Sequence, residues 1–124
     1  MSRVAIVVSD LLFQSRIAAA VAALGRDAAV ADSTAAVAAA IAARPALAII
    51  DLHDRNLDAV AAVRSAKAAG VRVLAFGRHT EPLTLRAARD AGADLVVPRS
   101  QLAGELPQLI ESLLGTQEPA AASD

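Results

Sequence analysis

Hydrophobic positions along the chain alternate between two patterns. Short runs rich in β-branched residues indicate five strands, at residues 4–8, 28–31, 46–50, 71–76 and 94–97. The longer segments between and after these runs carry apolar residues at helical spacing, and each ends on a helix-stopping signal. Those signals are Gly25, Arg44–Pro45, Gly70, Gly92 and Gly115. The pattern predicts a strand followed by a helix, five times over.

This alternation predicts an α/β fold, with right-handed crossovers, a parallel sheet and helices on both of its faces. Residues 4–8 and 46–50 are continuously apolar, which is typical of central parallel strands. The segment "DAAVAD", residues 27–32, is short and bounded by acids, which favours an edge strand. We expect one domain over residues 1–115 and a disordered tail over residues 116–124, which show no periodicity.

Composition narrows the possible functions. The chain of 124 residues has no cysteine, so disulfides and thiolate chemistry are excluded. A net charge of −1 and only two aromatic residues, Phe13 and Phe76, argue against a nucleic-acid partner. No apolar run approaches the ~18 residues of a membrane span, and residues 1–12 make a poor signal peptide. We therefore expect a cytoplasmic protein without a membrane partner.

Two acids follow predicted strands: Asp10 after the first and Asp51 after the third. Ligands of open α/β sheets bind at the carboxyl ends of strands, so neighbouring strands would bring both carboxylates to one crevice. Such a pair suits Mg²⁺, and a carboxylate held there can act as a nucleophile. The alternatives are that Asp10 only caps the helix that begins at Leu11 and that Asp51 is an ordinary solvated acid. Solvated loops are the corresponding interpretation of His53, Asp54, Arg55 and His79.

Three segments in this order resemble the CheY-like receiver domain of bacterial response regulators. They are "VAIVVSD" at residues 4–10, "LAIIDL" at 47–52 and "AGADLVVP" at 91–98. The resemblance covers residues 3–115 and implies a flavodoxin-like (βα)₅ sheet with strand order 2-1-3-4-5. It also implies a two-component phosphorelay, with a histidine kinase as a possible partner. Asp51 would then be the phosphoacceptor, and Asp10, Asp51 and the backbone carbonyl of His53 would bind the metal.

Four positions depart from the family pattern. Ser9 replaces one of two adjacent acids, Gly77 a hydroxyl residue, Leu95 an aromatic switch residue and Pro98 a lysine. Without the hydroxyl and the lysine, phosphorylation has little leverage on conformation. With one acid fewer, we expect Mg²⁺ to bind weakly, at millimolar affinity or poorer. Arg78 and Arg99, one residue further on, are possible substitutes, although adjacent strand residues point to opposite faces.

Local charge is a further clue. The family pocket, with three acids and one lysine, carries a formal charge of minus two, and Asp10 with Asp51 alone would give the same value. This balance argues against random decay of the site.

We therefore interpret the chain as a stand-alone, atypical receiver-like signalling domain, a pseudo-receiver that is not an enzyme and has no catalytic residues. It would bind a protein partner constitutively, through the face formed by the fourth helix, fifth strand and fifth helix, residues 82–114, and would require no cofactor. A homodimer is a further possibility. The alternative is a single-domain response regulator that is still phosphorylated at Asp51.

A more distant alternative is a cobalamin-binding domain. "DLHDRN", residues 51–56, matches most of the D-x-H-x-x-G signature of those domains, in which the histidine ligates cobalt. Asn56 replaces the glycine, and the motif follows the third strand rather than the first.

Overall fold

The computed structural model describes residues 3–114, which form five strands alternating with five helices. The strands are β1 (Arg3–Val7), β2 (Asp27–Val30), β3 (Leu47–Asp51), β4 (Arg72–Gly77) and β5 (Leu95–Pro98). The helices are α1 (Leu11–Ala23), α2 (Thr34–Ala42), α3 (Ala59–Ala68), α4 (Pro82–Asp90) and α5 (Arg99–Leu114). Every predicted strand is present, with its bounds shifted by a single residue.

The strands form one parallel sheet in the order β2-β1-β3-β4-β5, as predicted. The two continuously apolar strands, β1 and β3, lie inside the sheet, and the short β2 lies at its edge. The register between β3 and β4 pairs Asp51 with Phe76, and the backbone N–H of the next residue, Leu52, donates to the carbonyl of Phe76 at 2.9 Å. This register fixes what surrounds the acid at the end of β3.

Alternating residues of each inner strand point into two separate cores. Ala5, Val7, Ala48 and Ile50 pack on the side of α2, α3 and α4. Their strand neighbours pack on the side of α1 and α5. Those neighbours are Val4, Ile6, Leu47 and Ile49. Because both faces are covered, each inner strand is apolar except at one of its ends, which is why no alternation was visible in the sequence.

Helix α5 differs from the sequence prediction. The fifth predicted strand ends at residue 97 and the helical spacing of apolar residues is clearest over residues 106–114, whereas the helix begins at Arg99 and is kinked at Glu105, where φ is −128°. Pro107 explains the kink, because it has no N–H to donate to the carbonyl of Ala103 and its ring clashes with that carbonyl. Since β5 ends at Pro98, the helix starts directly after the strand, and its first residue, Arg99, lies at the carboxyl edge of the sheet.

The remaining expectations concern the chain ends and one peptide bond. No helix within residues 3–114 is long and apolar enough to cross a membrane. The tail predicted at residues 116–124 lies outside the described residues. The Val97–Pro98 bond, whose isomer the sequence left open, is trans.

Candidate functional site

Asp51 is the last residue of β3, and its side chain is almost completely buried, with 5% of the residue's surface exposed. The backbone N–H of His53 donates a hydrogen bond of 2.9 Å to Asp51 Oδ1. Burial raises the pKa of Asp51 above its ordinary value, and the His53 bond and the charge of Arg99 oppose that rise without cancelling it. Asp51 is therefore not the solvated acid of the alternative interpretation.

Asp10 caps helix α1, as the alternative interpretation of this residue predicted. Its Oδ1 accepts hydrogen bonds from the backbone N–H groups of Leu12 and Phe13, at 2.9 and 3.1 Å. Its Oδ2 lies 3.3 Å from a guanidinium nitrogen of Arg99. Both carboxylate oxygens thus have partners within the chain.

Arg99 is the cation of this pocket. Its guanidinium lies 4.2 Å from the ring centroid of Phe13, and that ring stacks on Phe76 at 5.5 Å. The sequence argument against Arg99, the alternation of strand residues, was wrong because Arg99 is the first residue of α5 and not part of β5. Arg78, the other predicted substitute, is exposed and lies 4.0 Å from Glu81 instead.

Asp54 belongs to the same pocket, whereas the sequence analysis had placed it in a solvated loop. The backbone N–H and the hydroxyl of Ser9 donate to the Asp54 carboxylate, at 2.7 and 2.8 Å. The side-chain amide of Asn56 donates to Ser9 Oγ at 3.1 Å. A carboxylate therefore stands beside Ser9, where the family pattern has an acid, but the β3–α3 loop supplies it. Two residues 45 positions apart gave no sequence signal for this contact.

His53 was also expected in a solvated loop, and this was wrong. The side chain is half-buried, and its Nε2 is buried without a hydrogen-bond partner among the residues that the structure describes. The ring lies against Gly77: a Cβ placed there would be 2.9 Å from His53 Nε2 and 3.0 Å from His53 Cδ2. The imidazole therefore occupies the space that any side chain at position 77 would need. A nitrogen turned inward in this way does not favour the cobalt ligation of the cobalamin alternative.

Together these residues give a pocket of three carboxylates and one guanidinium, with a formal charge of minus two. The sequence analysis reached the same total from Asp10 and Asp51 alone and so omitted Asp54 and Arg99. Within residues 3–114 no group of three or more His, Cys, Asp or Glu side chains is placed to hold a metal ion.

Two other predicted switch positions lie on β5. Leu95 is half-buried and packs against the core on the side of α1 and α5, and Pro98 pairs with Gly77 at the end of the strand. On α4, Leu83 and Leu85 are two residues apart and so cannot both face the core: Leu83 is 79% exposed and Leu85 is 7% exposed. His79 is exposed, as expected.

Replacing Gly77 with alanine should destabilise the fold by about 1–3 kcal/mol, because the new Cβ would overlap His53 and also Leu85 Cδ2, at 3.0 Å. Gly104→Ala is the matched control, since nothing lies within 4 Å of its Cβ position. That helical substitution should be neutral or stabilising by up to about 1 kcal/mol. Chemical denaturation measures both, and the cost of Gly77→Ala should fall in a His53→Ala background. An unchanged cost there would show that His53 does not fill this space.

Asp51→Asn should raise the melting temperature at about pH 7, because it removes a buried charge and keeps an oxygen that can accept from His53. A raised folded-state pKa means that ionisation of Asp51 opposes folding. The penalty is absent below the ordinary pKa of 3.8 and develops as the pH rises through the folded-state value. The gain should therefore vanish in acid. The exposed Asp90→Asn is the control, and a variant less stable than wild type at neutral pH would contradict the expectation.

Comparisons with known proteins fit this architecture. No family model matches the sequence, and no curated protein matches it significantly. Among solved structures, the receiver domain of NtrX from Brucella abortus is 22% identical with a TM-score of 0.80, over 91% of this chain and 98% of that one. A CheY-like receiver domain protein from Methanospirillum hungatei JF-1 is 18% identical with a TM-score of 0.82, over 97% and 98%.

A longer NtrX chain from Brucella abortus is also similar, at 21% identity and a TM-score of 0.83. The match covers 99% of this chain but only 29% of that one. The resemblance predicted from the three sequence segments is thus confirmed at the level of the fold. The chain has the CheY-like fold of a response-regulator receiver domain.

Proposed function

We propose that this chain is a signalling domain of a two-component or phosphorelay system that binds a protein partner constitutively. In this proposal it is not an enzyme, requires no Mg²⁺, and works in the cytoplasm. The observation that carries the proposal is the position of Arg99. Its guanidinium lies 3.3 Å from Asp10 Oδ2, and its charge opposes the rise that burial causes in the pKa of Asp51.

Arg99 supports the proposal because it gives the acidic pocket an internal cation. Carboxylates brought together at the end of a sheet repel one another, and in a metal-binding pocket the divalent ion relieves that repulsion. Here the guanidinium supplies positive charge, the N-terminus of α1 satisfies Asp10, and Ser9 satisfies Asp54. A metal ion would have to displace these partners before it could bind.

The residues at the ends of β4 and β5 support the proposal that the partner is bound constitutively. Gly77 has no side chain, Pro98 has neither a charge nor an N–H, and Leu95 packs as part of the core. A group added to Asp51 therefore finds no side chain on these strands to pull toward itself. Without such differential contacts it cannot shift the conformational equilibrium, so the surface that binds the partner is already the populated one.

A second function deserves testing, because Asp51 keeps the placement of an acceptor. Its carboxylate lies at the carboxyl edge of a central strand, with a backbone donor at 2.9 Å and the charge of Arg99 nearby. This favours a domain that can carry a phosphoryl group on Asp51 even though it does not respond by changing shape.

Beryllofluoride, which mimics a phosphoryl group on a carboxylate, should produce amide NMR shifts confined to the loops around Asp51 and Asp10. The reason is the lack of contacts from β4 and β5. Spectra recorded with and without the compound, on wild type and on Asp51→Asn as the control, measure this. Wild-type shifts that spread through β4, α4 and β5 would show a working switch and refute constitutive binding.

For the partner surface we propose the face of α4, β5 and α5, with Leu83 as its most exposed apolar side chain. Leu95, at the position of the family's aromatic switch residue, lies on the same face. Its half-buried packing makes it a poor probe, because a charge there would also disturb the core.

Leu83→Glu should abolish capture of the partner from native lysate, because an exposed anchoring leucine is replaced by a charge, while the melting temperature stays close to that of wild type. Leu12→Glu is the matched control, since Leu12 is 75% exposed but lies on α1. Asp51→Asn should retain the partner. Loss with Leu12→Glu alone would move the surface to α1, and loss with Asp51→Asn would support phosphoryl-dependent binding instead.

A further inference from the structure

Helix α2 turns an uncharged, apolar side toward solvent. After Thr34 all of its residues are alanine, valine or isoleucine, whereas each of the other four helices carries at least one arginine. Val37 and Ile41 pack into the core. The residues exposed on the remaining surface of the helix are all alanines: Ala35, Ala38, Ala39 and Ala42. Since a helix that is apolar on all sides is normally covered on all sides, the exposed side of α2 is a candidate contact surface.

A groove of about 360 Å³ between α2 and α3 belongs to the same surface. Apart from Thr34, Asp58 and Ser65, the residues that line it are apolar. Asp58 is the only charged residue of this lining, and it caps the N-terminus of α3 by accepting a hydrogen bond from the backbone N–H of Ala61 at 3.1 Å. The groove therefore suits an occupant that is apolar along its length and positively charged at one end.

An arginine in an unusual conformation follows the other end of the groove. Arg44 is exposed and comes two residues after Ala42, which lines the groove. Its φ is 53°, in the left-handed region, whereas glycines occupy the equivalent position after α1, α3 and α4. Arg44 forms no ion pair within residues 3–114. A bulky side chain kept where glycine is favoured, without a partner in its own chain, points to a role between chains.

The direction of the two helices separates the acid from the arginine. Both helices connect parallel strands, so both run from the carboxyl edge of the sheet to its amino edge. Asp58 thus lies at one end of the groove and Arg44 follows the other, and the nine residues of α2 span about 13 Å between these ends. A two-fold axis across the groove would bring the acidic end of each copy over the basic end of the other. Copies stacked in the same direction would instead set like charges against each other.

We propose that the α2–α3 groove is the contact surface of a homodimer, in which two antiparallel copies pair Asp58 of each with Arg44 of the other. The exposed alanines of α2 are small, so the helices of the two copies can approach closely and fill the groove. No residue of α4, β5 or α5 lines this groove. The contact is therefore separate from the surface proposed above for the protein partner and leaves that surface free.

Sedimentation equilibrium of the whole chain, from micromolar to millimolar concentration, tests the dimer. Wild type should show a reversible monomer–dimer equilibrium. Ala38→Glu places an acid in the groove of both copies and should abolish dimerisation, because the new charges would be buried without partners. Ala19→Glu is the matched control, since Ala19 is an exposed alanine of α1, and it should dimerise as wild type does.

Arg44→Gly separates the contact from the backbone conformation. Glycine adopts the left-handed region without strain, so the melting temperature of the monomer, measured in dilute solution, should rise. The dissociation constant of the dimer should nevertheless increase about threefold to thirtyfold, because a symmetric dimer loses two exposed ion pairs. A wild type that stays monomeric, undiminished dimerisation of Ala38→Glu, or an unchanged dissociation constant for Arg44→Gly would each overturn the proposal. Loss of the dimer in Ala19→Glu would overturn it too, by moving the contact to α1.

Discussion

A carboxylate buried at the end of an apolar strand is the constraint on which this site depends. Asp51 ends β3, whose five residues are all buried, so its charge is largely removed from water. Burial raises the pKa of that carboxyl group. A hydrogen bond from the backbone N–H of His53 and the charge of Arg99 oppose this rise. These two partners come from elements that the sheet register brings to one edge. The strand order thus decides which residues can act on Asp51.

Three groups expected from the family pattern are missing at their usual positions, and each has a physical counterpart at a neighbouring one. The acid absent at Ser9 has a counterpart in Asp54, which Ser9 itself binds. The cation absent at Pro98 has one in Arg99, and the space above Gly77 holds His53. Electrostatics links the Asp54 carboxylate to the Arg99 guanidinium, because a third carboxylate without a cation would increase the repulsion around Asp51. The third is steric, because His53 and a side chain at position 77 exclude each other.

Local pattern was sufficient to predict the strands and to offer the capping of α1 by Asp10 as an alternative, because both follow from periodicity and from residues next to each other in the chain. The strand order came from the family resemblance and not from local pattern. The position of Arg99 was misjudged because strand alternation was applied across the boundary between β5 and α5, and boundaries are where such patterns are weakest. The bond between Ser9 and Asp54 joins two loops that only the folded sheet brings together. No pattern local to either loop could have revealed it.

The element that carries a group matters as much as the group itself. A side chain on β4 that bound a ligand at Asp51 would link two strands, and any movement of the ligand would be passed to α4. His53 lies two residues after Asp51, and its backbone N–H donates to Asp51 Oδ1, so the two residues form one local unit at the end of β3. A contact made within such a unit can stabilise a ligand but does no work on the neighbouring strand, since no distance between elements changes. A pocket can therefore retain charge and donors in nearly the usual number and still lose the ability to transmit a signal.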